Sequence, residues 1–440
     1  PRTAWLALTM VLLFGVAMML LAGCDLPTSQ PTAVPGALTP TPLPSEPTEV
    51  PTDTVDATPP APAIITLTVW TTDAFSPTET ITSGQILARE VRAFEDGHAD
   101  VRLEFVPKKP HGQGGILDYL LTTAPVVPGL LPDLVLVDVD ELGIAVQAEL
   151  LRPLDELLPA DLVADLYPFA VKAGTVDERL YALQYQADLD HLVYSTGRMA
   201  VPPSSWPGVL SNPGPYIFPA GGQAGLVNDD FLMQYLAVRP WPGANSEEPF
   251  LNEDALVAVF QYYQDGVARG IFPAEIADFN STDDTWRRYL EGETAMAHVS
   301  AHQYLSGGDR APSSAAAPIP AISGPAAAIG RGWALALVTV DPVRQSAAVE
   351  FMTQLMAPET NAALNQAQGY LPTLQSALSF WTGNESYVPF MAQQLRVAQA
   401  RPPIPQDART AAALQQGVAD VVSGSATPEE AAARVIEQAQ

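Results

Sequence analysis

Two periods of apolar residues run through the body of this chain. Ile64-Ile65-Thr66-Leu67-Thr68-Val69-Trp70 is a β-branched run that reads as a buried strand. Ile86, Leu87, Val91 and Phe94 then repeat at the spacing of an amphipathic helix. Val101 to Val106 alternates as a second strand, followed by a Gly-rich loop (Gly112 to Gly115) and a helix near Ile116 to Thr123. Leu134-Val135-Leu136-Val137, after Pro132-Asp133, predicts a third strand. Strand, helix, strand, helix, strand predicts an α/β fold with helices on both faces of a sheet. No solenoid-like repeat interrupts it.

The N-terminal segment follows neither period. Arg2 precedes an apolar run from Ala4 to Leu20, which ends in Leu21-Ala22-Gly23-Cys24. A positive start, an apolar stretch and small residues before a cut site make up a secretory signal (1–23). The last four residues resemble the bacterial lipobox, in which the cysteine is lipidated, for instance with palmitate, and becomes the new N-terminus. A transmembrane anchor is the alternative, since about 18 apolar residues can just span a bilayer. The short charged start, without an initiator Met, implies a few further leading residues. Cys24 is the sole cysteine, so disulfides are excluded and stability must come from burial. From 24 to 63 Pro and Thr dominate, and such a segment cannot bury enough surface to offset its ordering entropy. It reads as an extended spacer reaching up to ~120 Å at about 3.1 Å per residue.

Charge narrows the function classes. The 440 residues carry 49 acidic and 21 basic side chains, a formal net charge of -28. Nucleic acid is argued against, because phosphate binding needs clustered Lys and Arg. Adhesion to anionic lipid is argued against too, which leaves the lipid anchor as the membrane contact. No G-x-S-x-G elbow and no phosphate-cradling G-x-x-x-x-G-K-[ST] loop occurs.

The order of short motifs resembles the extracellular solute-binding proteins of ABC importers, in the sugar-binding group that includes maltose-binding protein. Thr68-Val69-Trp70 resembles the family's opening strand. Pro132-Asp133-Leu134-Val135 and Leu150-Leu151-Arg152-Pro153-Leu154-Asp155 resemble its "PD-strand" and "L-x-P-L-D" section. Val201-Pro202-Pro203-Ser204-Ser205-Trp206 resembles "P-P-x-T-W", and Tyr289 to Met296 resembles "F-x-x-G-x-A-A-M". Gly330 to Leu337, Ala357-Pro358-Glu359 and Gly369-Tyr370-Leu371-Pro372-Thr373 complete the series. The likeness covers about 64–440. Departures stand at Gln184, where the family often has Pro, at Ser195 and Thr196, where it often has Asn, and near Ala301 to Tyr304, where "G-x-W" is replaced.

The resemblance implies a two-lobed periplasmic-binding-protein-like fold of type II. Lobe one would comprise 64–186 and 328–372, lobe two 187–327 and 373–440, with a solute held between them and hinge closure as the signal. Ligands of open α/β sheets sit beyond the carboxyl ends of strands. That places Trp70, Thr71, Thr72 and Asp73 after strand one and Asp138 after strand three, the latter with Asp140 and Glu141, which could equally complement a helix dipole. Tyr185 and Asp188 fall in the first crossing segment, beside Gln186 and Asp190. Trp241 sits in a proline-flanked loop, Tyr304 follows His302 and Gln303, Trp333 follows a glycine-led crossing, and Tyr370 precedes Leu371. Aromatic faces with carboxylates and hydroxyls suit a sugar. Each has a plainer reading as core or solvated surface. His298 and His302 are four apart, but the strand-like Ala295 to Val299 would separate them, so no metal and no cofactor is expected.

The expected function is thus a lipid-anchored, monomeric receptor on the outer face of the cell membrane. It would deliver a small solute, of carbohydrate class, to ABC permease subunits and perform no chemistry. An exported glycan-active enzyme, which needs two matched carboxylates, and a sensory or adhesive lipoprotein on the same fold are the alternatives.

Overall fold

The computed structural model describes residues 64–439, except 79, 213, 223, 224, 244, 245, 247, 308, 309, 384 and 404–407. The expected signal segment (1–23), the expected lipidation site Cys24 and the spacer (24–63) lie outside the described residues. Among the described residues no helix is long and apolar enough to cross a membrane.

The opening β-branched run forms β1 (Ile65–Thr71), and the amphipathic stretch lies within α1 (Thr82–Gly97), which buries Leu87, Ala88 and Phe94. β2 (Val101–Pro107), α2 (Ile116–Thr123) and β3 (Leu134–Asp138) follow at the predicted places. Leu134 to Val137 are each at most 1% exposed. A continuous apolar run of this kind is what a central strand covered on both faces requires. The short helix α3 (Leu142–Gln147) leads off beyond the end of β3.

After β4 (Ala182–Gln184) the chain leaves this sheet and enters β5 (Asp190–Ser195). β6 (Tyr216–Ile217) is followed by α4 (Asp229–Val238) and α5 (Glu253–Ala268), both capped by asparagine side chains, Asn228 and Asn252. Next come α6 (Thr282–Leu290), β7 (Met296–Ser300), α7 (Ala301–Gly307) and β8 (Ser314–Ala317). The chain then returns to the first sheet as β9 (Trp333–Leu337), backed by α8 (Pro342–Leu355) and α9 (Pro358–Gln368). The C-terminal helices α10 (Tyr387–Val397), α11 (Ala408–Ser423) and α12 (Pro428–Ala439) pack mainly on elements of the second sheet and on α5.

Two main sheets result among the described residues, beside three two-stranded ladders. The first has the order β2-β1-β3-β9-β4, with β1 parallel to β2 and β3, and β9 antiparallel to β3 and β4. The second has the order β8-β5-β7-β6, with β5 antiparallel to both neighbours and β6 parallel to β7. Each has helices against it, giving the α/β, two-lobed architecture expected from the sequence.

The segments linking the sheets pair with one another. Gln186–Ala187 pairs with Leu371–Pro372, and Asp188 bridges Arg331 through reciprocal backbone hydrogen bonds of 3.0 and 3.1 Å. Gly332 makes this approach possible. Its φ is +143°, and a Cβ there would lie 2.3 Å from the Gln186 carbonyl oxygen. Only glycine fits.

Candidate functional site

The site begins where β3 ends. Register pairs Asp138, the last residue of β3, with Trp333, the first of β9. The turn after β3 folds back on itself: the Asp140 N–H donates to the Asp138 carboxylate at 2.9 Å and the Glu141 N–H to the Asp138 carbonyl at 3.0 Å. Three carboxyl groups therefore stand together at the carboxyl end of a central strand. The loop after β2 brings His111 against them, with Nδ1 3.3 Å from Glu141 Oε1 and Nε2 3.6 Å from Asp138 Oδ2. Its ring stacks on Trp333 at a centroid distance of 5.3 Å.

These contacts set the protonation. Burial, then the neighbouring Asp140 carboxylate, push the Asp138 pKa up to about 7. Burial also raises Asp140, against the pull of Arg401. The hydrogen bond to Glu141, reinforced by Asp138, raises the pKa of His111 despite its partial burial.

Facing this wall is a cluster supplied by the crossing segments and the second sheet. Arg331 grips Asp190 through two bonds of 2.6 and 2.8 Å, reaches Asp229 at 3.1 Å and lies 3.7 Å from Asp188. Arg401 donates to Asp229 and to the Val227 carbonyl. Burial would depress the Arg331 guanidinium, but Asp190, Asp229 and Asp188 outweigh it and hold its pKa well above the ordinary value. Asp188 accepts the His302 N–H at 3.0 Å, and burial raises its pKa. The His302 ring in turn stacks on Tyr370 at 4.2 Å.

The start of α6 adds Ser281 and Asp283, whose carboxylate accepts from the Gln303 side chain at 2.6 Å. Behind the second wall, buried His298 links Asp230 to the Tyr216 hydroxyl. His298 and His302 are thus engaged with different partners. Among the described residues no group of three or more His, Cys, Asp or Glu could hold a metal ion.

Between the walls lies a cavity of about 740 Å³, lined from both sheets and both crossings. That is within the ~300–1,000 Å³ span of small-molecule sites. Its lining is polar: carboxylates, carboxamides, hydroxyls and two guanidiniums, with a few apolar positions such as Ile144, Pro219 and Leu226.

The residues singled out from sequence fall into three groups. Asp138 and Asp188 line the cavity, with Asp140, Glu141, Asp190, His302 and Gln303 beside them. Trp333 and Tyr370 stand one layer back, each covered by a histidine ring. The remaining residues are elsewhere. Trp70 is buried edge-on against Tyr119 under the Lys108 ammonium. The Thr71 hydroxyl donates to the Phe75 carbonyl, Thr72 is buried in the same turn, and Asp73 is exposed on it. Tyr185 packs on Phe75, Trp241 on Phe250 and Tyr304 on Tyr387. The cause is common to them: each ring or hydroxyl has its needs met inside one lobe.

Sequence reasoning missed His111, Asn228, Asp229, Asp230, Arg331 and Arg401. Four of them had a readable signal: Arg331 as a lone arginine between glycines in Gly330-Arg331-Gly332, and Asn228-Asp229-Asp230 as a cap ahead of an apolar helix.

Comparison with known proteins agrees with this geometry. Residues 91–387 match the family model for bacterial extracellular solute-binding proteins. Among solved structures, the cyclic α-maltosyl-1,6-maltose binding protein of Arthrobacter globiformis is similar at TM-score 0.67 and 19% identity, over 86% of this chain and 98% of that one. A cyclo/maltodextrin-binding protein complexed with maltotetraose superposes at TM-score 0.68 and 18% identity, over 84% and 95%. The maltose-binding periplasmic protein of Listeria monocytogenes gives 0.66 and 16%, over 84% and 96%. No curated protein sequence matches. Identities this low establish the shared fold, and the family match over more than half of the chain establishes kinship: this chain belongs to the bacterial extracellular solute-binding proteins, a family of binding proteins rather than enzymes.

Proposed function

We propose that this protein is the receptor of an ABC importer and captures a carbohydrate in the cavity between its two sheets. The observation that carries this reading is the cavity lining, which joins β3 and the His111 loop to the crossings, the start of α4 and the start of α6. Carboxylates, carboxamides and guanidiniums present paired acceptors and donors, which suit a rim of sugar hydroxyls. The solved structures that share the fold include proteins named for maltose and maltodextrin binding. Binding would draw the lobes (64–186 with 328–372, and 187–327 with 373–440) together, and permease subunits would read the closed form. Lipidation at Cys24, with the spacer behind it, would keep the receptor at the outer face of the membrane.

The test is a thermal-shift and calorimetric panel of mono- and oligosaccharides on the purified protein. A solute that binds only the native state raises its melting temperature. At least one sugar is expected to do so, while a response confined to amino acids or peptides would overturn the reading. Asp188→Ala is expected to weaken that binding about tenfold or more while the protein stays folded, because a carboxylate hydrogen bond contributes about 1.5–3 kcal/mol. Trp333→Ala should weaken it as well, by releasing the His111 ring. Unchanged affinity in both variants would place the solute elsewhere.

A further inference from the structure

We propose that the solute of this cavity carries a protonated amine beside its hydroxyls, an aminated rather than a neutral sugar, with the ammonium seated at Asp138, Asp140 and Glu141. The inference rests on the carbohydrate reading above and specifies its chemistry.

Charge imbalance is the first observation. Eight carboxylates line the cavity against two guanidiniums, a formal -6 with its histidines neutral. The two guanidiniums are already committed on one side, where Arg331 holds Asp190 and Asp229 and Arg401 holds Asp229. Asp188, Asp190, Asp229, Asp230 and Asp283 surround those two guanidiniums, while the opposite wall carries three carboxylates and no guanidinium. There Asp138 and Glu141 share one imidazole, that of His111, and Asp140 stands beside them. Among the described residues no donor is hydrogen-bonded to the Asp140 carboxyl, although it lines the cavity.

The second observation is independent of the acids. The cavity is bounded by two sheets in a chain whose family binds solutes, so a ligand is expected there whatever its charge. A neutral sugar would donate hydroxyls to these carboxylates but leave their mutual repulsion in place. An ammonium offers up to three donors and a compensating charge in a site where water is partly excluded, and charges close together there interact far more strongly than in bulk water. Burial is the first cause of the raised pKa values of Asp138 and Asp140, and the neighbouring carboxylates add to it.

The arrangement also predicts a pH response. Asp138 faces Asp140 and Glu141 from its own turn and His111 from the loop after β2, while Asp140 faces Arg401, Arg331 and Asp229 across the cavity. Lowering the pH from 7.5 to 5.5 protonates Asp138 and favours the charged form of His111, whose pKa is raised. Both changes oppose an incoming cation.

The test uses matched probes on the purified protein at pH 7: glucosamine and 6-amino-6-deoxyglucose, each against glucose and its own N-acetylated form, with maltotriose extending the neutral series. At least one amine is expected to bind about tenfold or more tighter than its acetylated partner, as one added charge contact allows. That preference should shrink at pH 5.5 and collapse in Asp140→Asn and in Asp138→Asn. Equal or tighter binding of the neutral sugars would overturn the inference and leave the carbohydrate reading standing. Stabilisation by spermidine or calcium chloride but by no sugar would overturn both. A preference that survives in both variants would overturn the assigned seat.

Discussion

At the scale of single residues, the site is a balance of buried charge. Burial pushes the Asp138 pKa up to about 7 and raises those of Asp140 and Asp188, so folding favours their protonated forms. A carboxyl raised in this way favours the native state at low pH, and that advantage is lost as pH climbs from about 4 to about 7. His111, also raised, acts in the same direction, since its protonated form is favoured by folding. We therefore expect the solute-free protein to melt several degrees higher at pH 5 than at pH 7.5. The contribution of Asp138 is on the order of a few kcal/mol. Asp138→Asn should flatten the profile, and an unchanged slope in melting curves from pH 4.5 to 8 would contradict this account.

The same scale shows why aromatic residues misled the sequence reading. Trp70 ends an apolar strand, as a cleft residue would, but the direction of its ring depends on the parity of the last pleat and on which loop covers it. Here Lys108 and Tyr119 take the ring. Asp138 was legible because a carboxylate after a continuous apolar run has nowhere to go but the strand end. His111 and Arg401 were not, because nothing local distinguishes a loop histidine or a lone arginine until distant segments meet.

At the scale of elements, the crossing segments govern both position and motion. Arg331 belongs to one crossing and Asp188 and Asp190 to the other, so the pairing that links the sheets also brings the charges together. Gly332 carries this pairing, and Gly332→Ala would drive a Cβ into the Gln186 carbonyl at a φ that L-residues rarely adopt. We expect a loss of about 2–3 kcal/mol in urea unfolding. Solute affinity should fall too, because the guanidinium would be displaced. A variant as stable as the parent would show that the crossings tolerate separation. The alternation in β1 and β2 and the apolar run of β3 were readable element by element. The order β2-β1-β3-β9-β4 was not read from periodicity, because β9 joins from nearly 200 residues away; the family resemblance alone suggested that return.

At the scale of the molecule, the two main sheets are separate ladders, linked by the paired crossing segments and bordering a polar cavity. Such a construction favours rigid lobes over a deformable whole, because packed interiors resist compression while interfaces can open. A sugar that stabilises the protein should therefore also shrink it. The radius of gyration by small-angle X-ray scattering should fall on saturation, with secondary structure by circular dichroism unchanged. Constant scattering at saturation would mean that the solute enters a cavity already closed.

The imidazole of His111 lies stacked on the indole of Trp333 and takes its charge from the carboxylates that border the cavity. A charged imidazole withdraws excitation from an indole beneath it, whereas a neutral or displaced ring does not. A solute that neutralised or displaced this imidazole would therefore brighten one tryptophan and give the receptor an optical gauge without any attached dye.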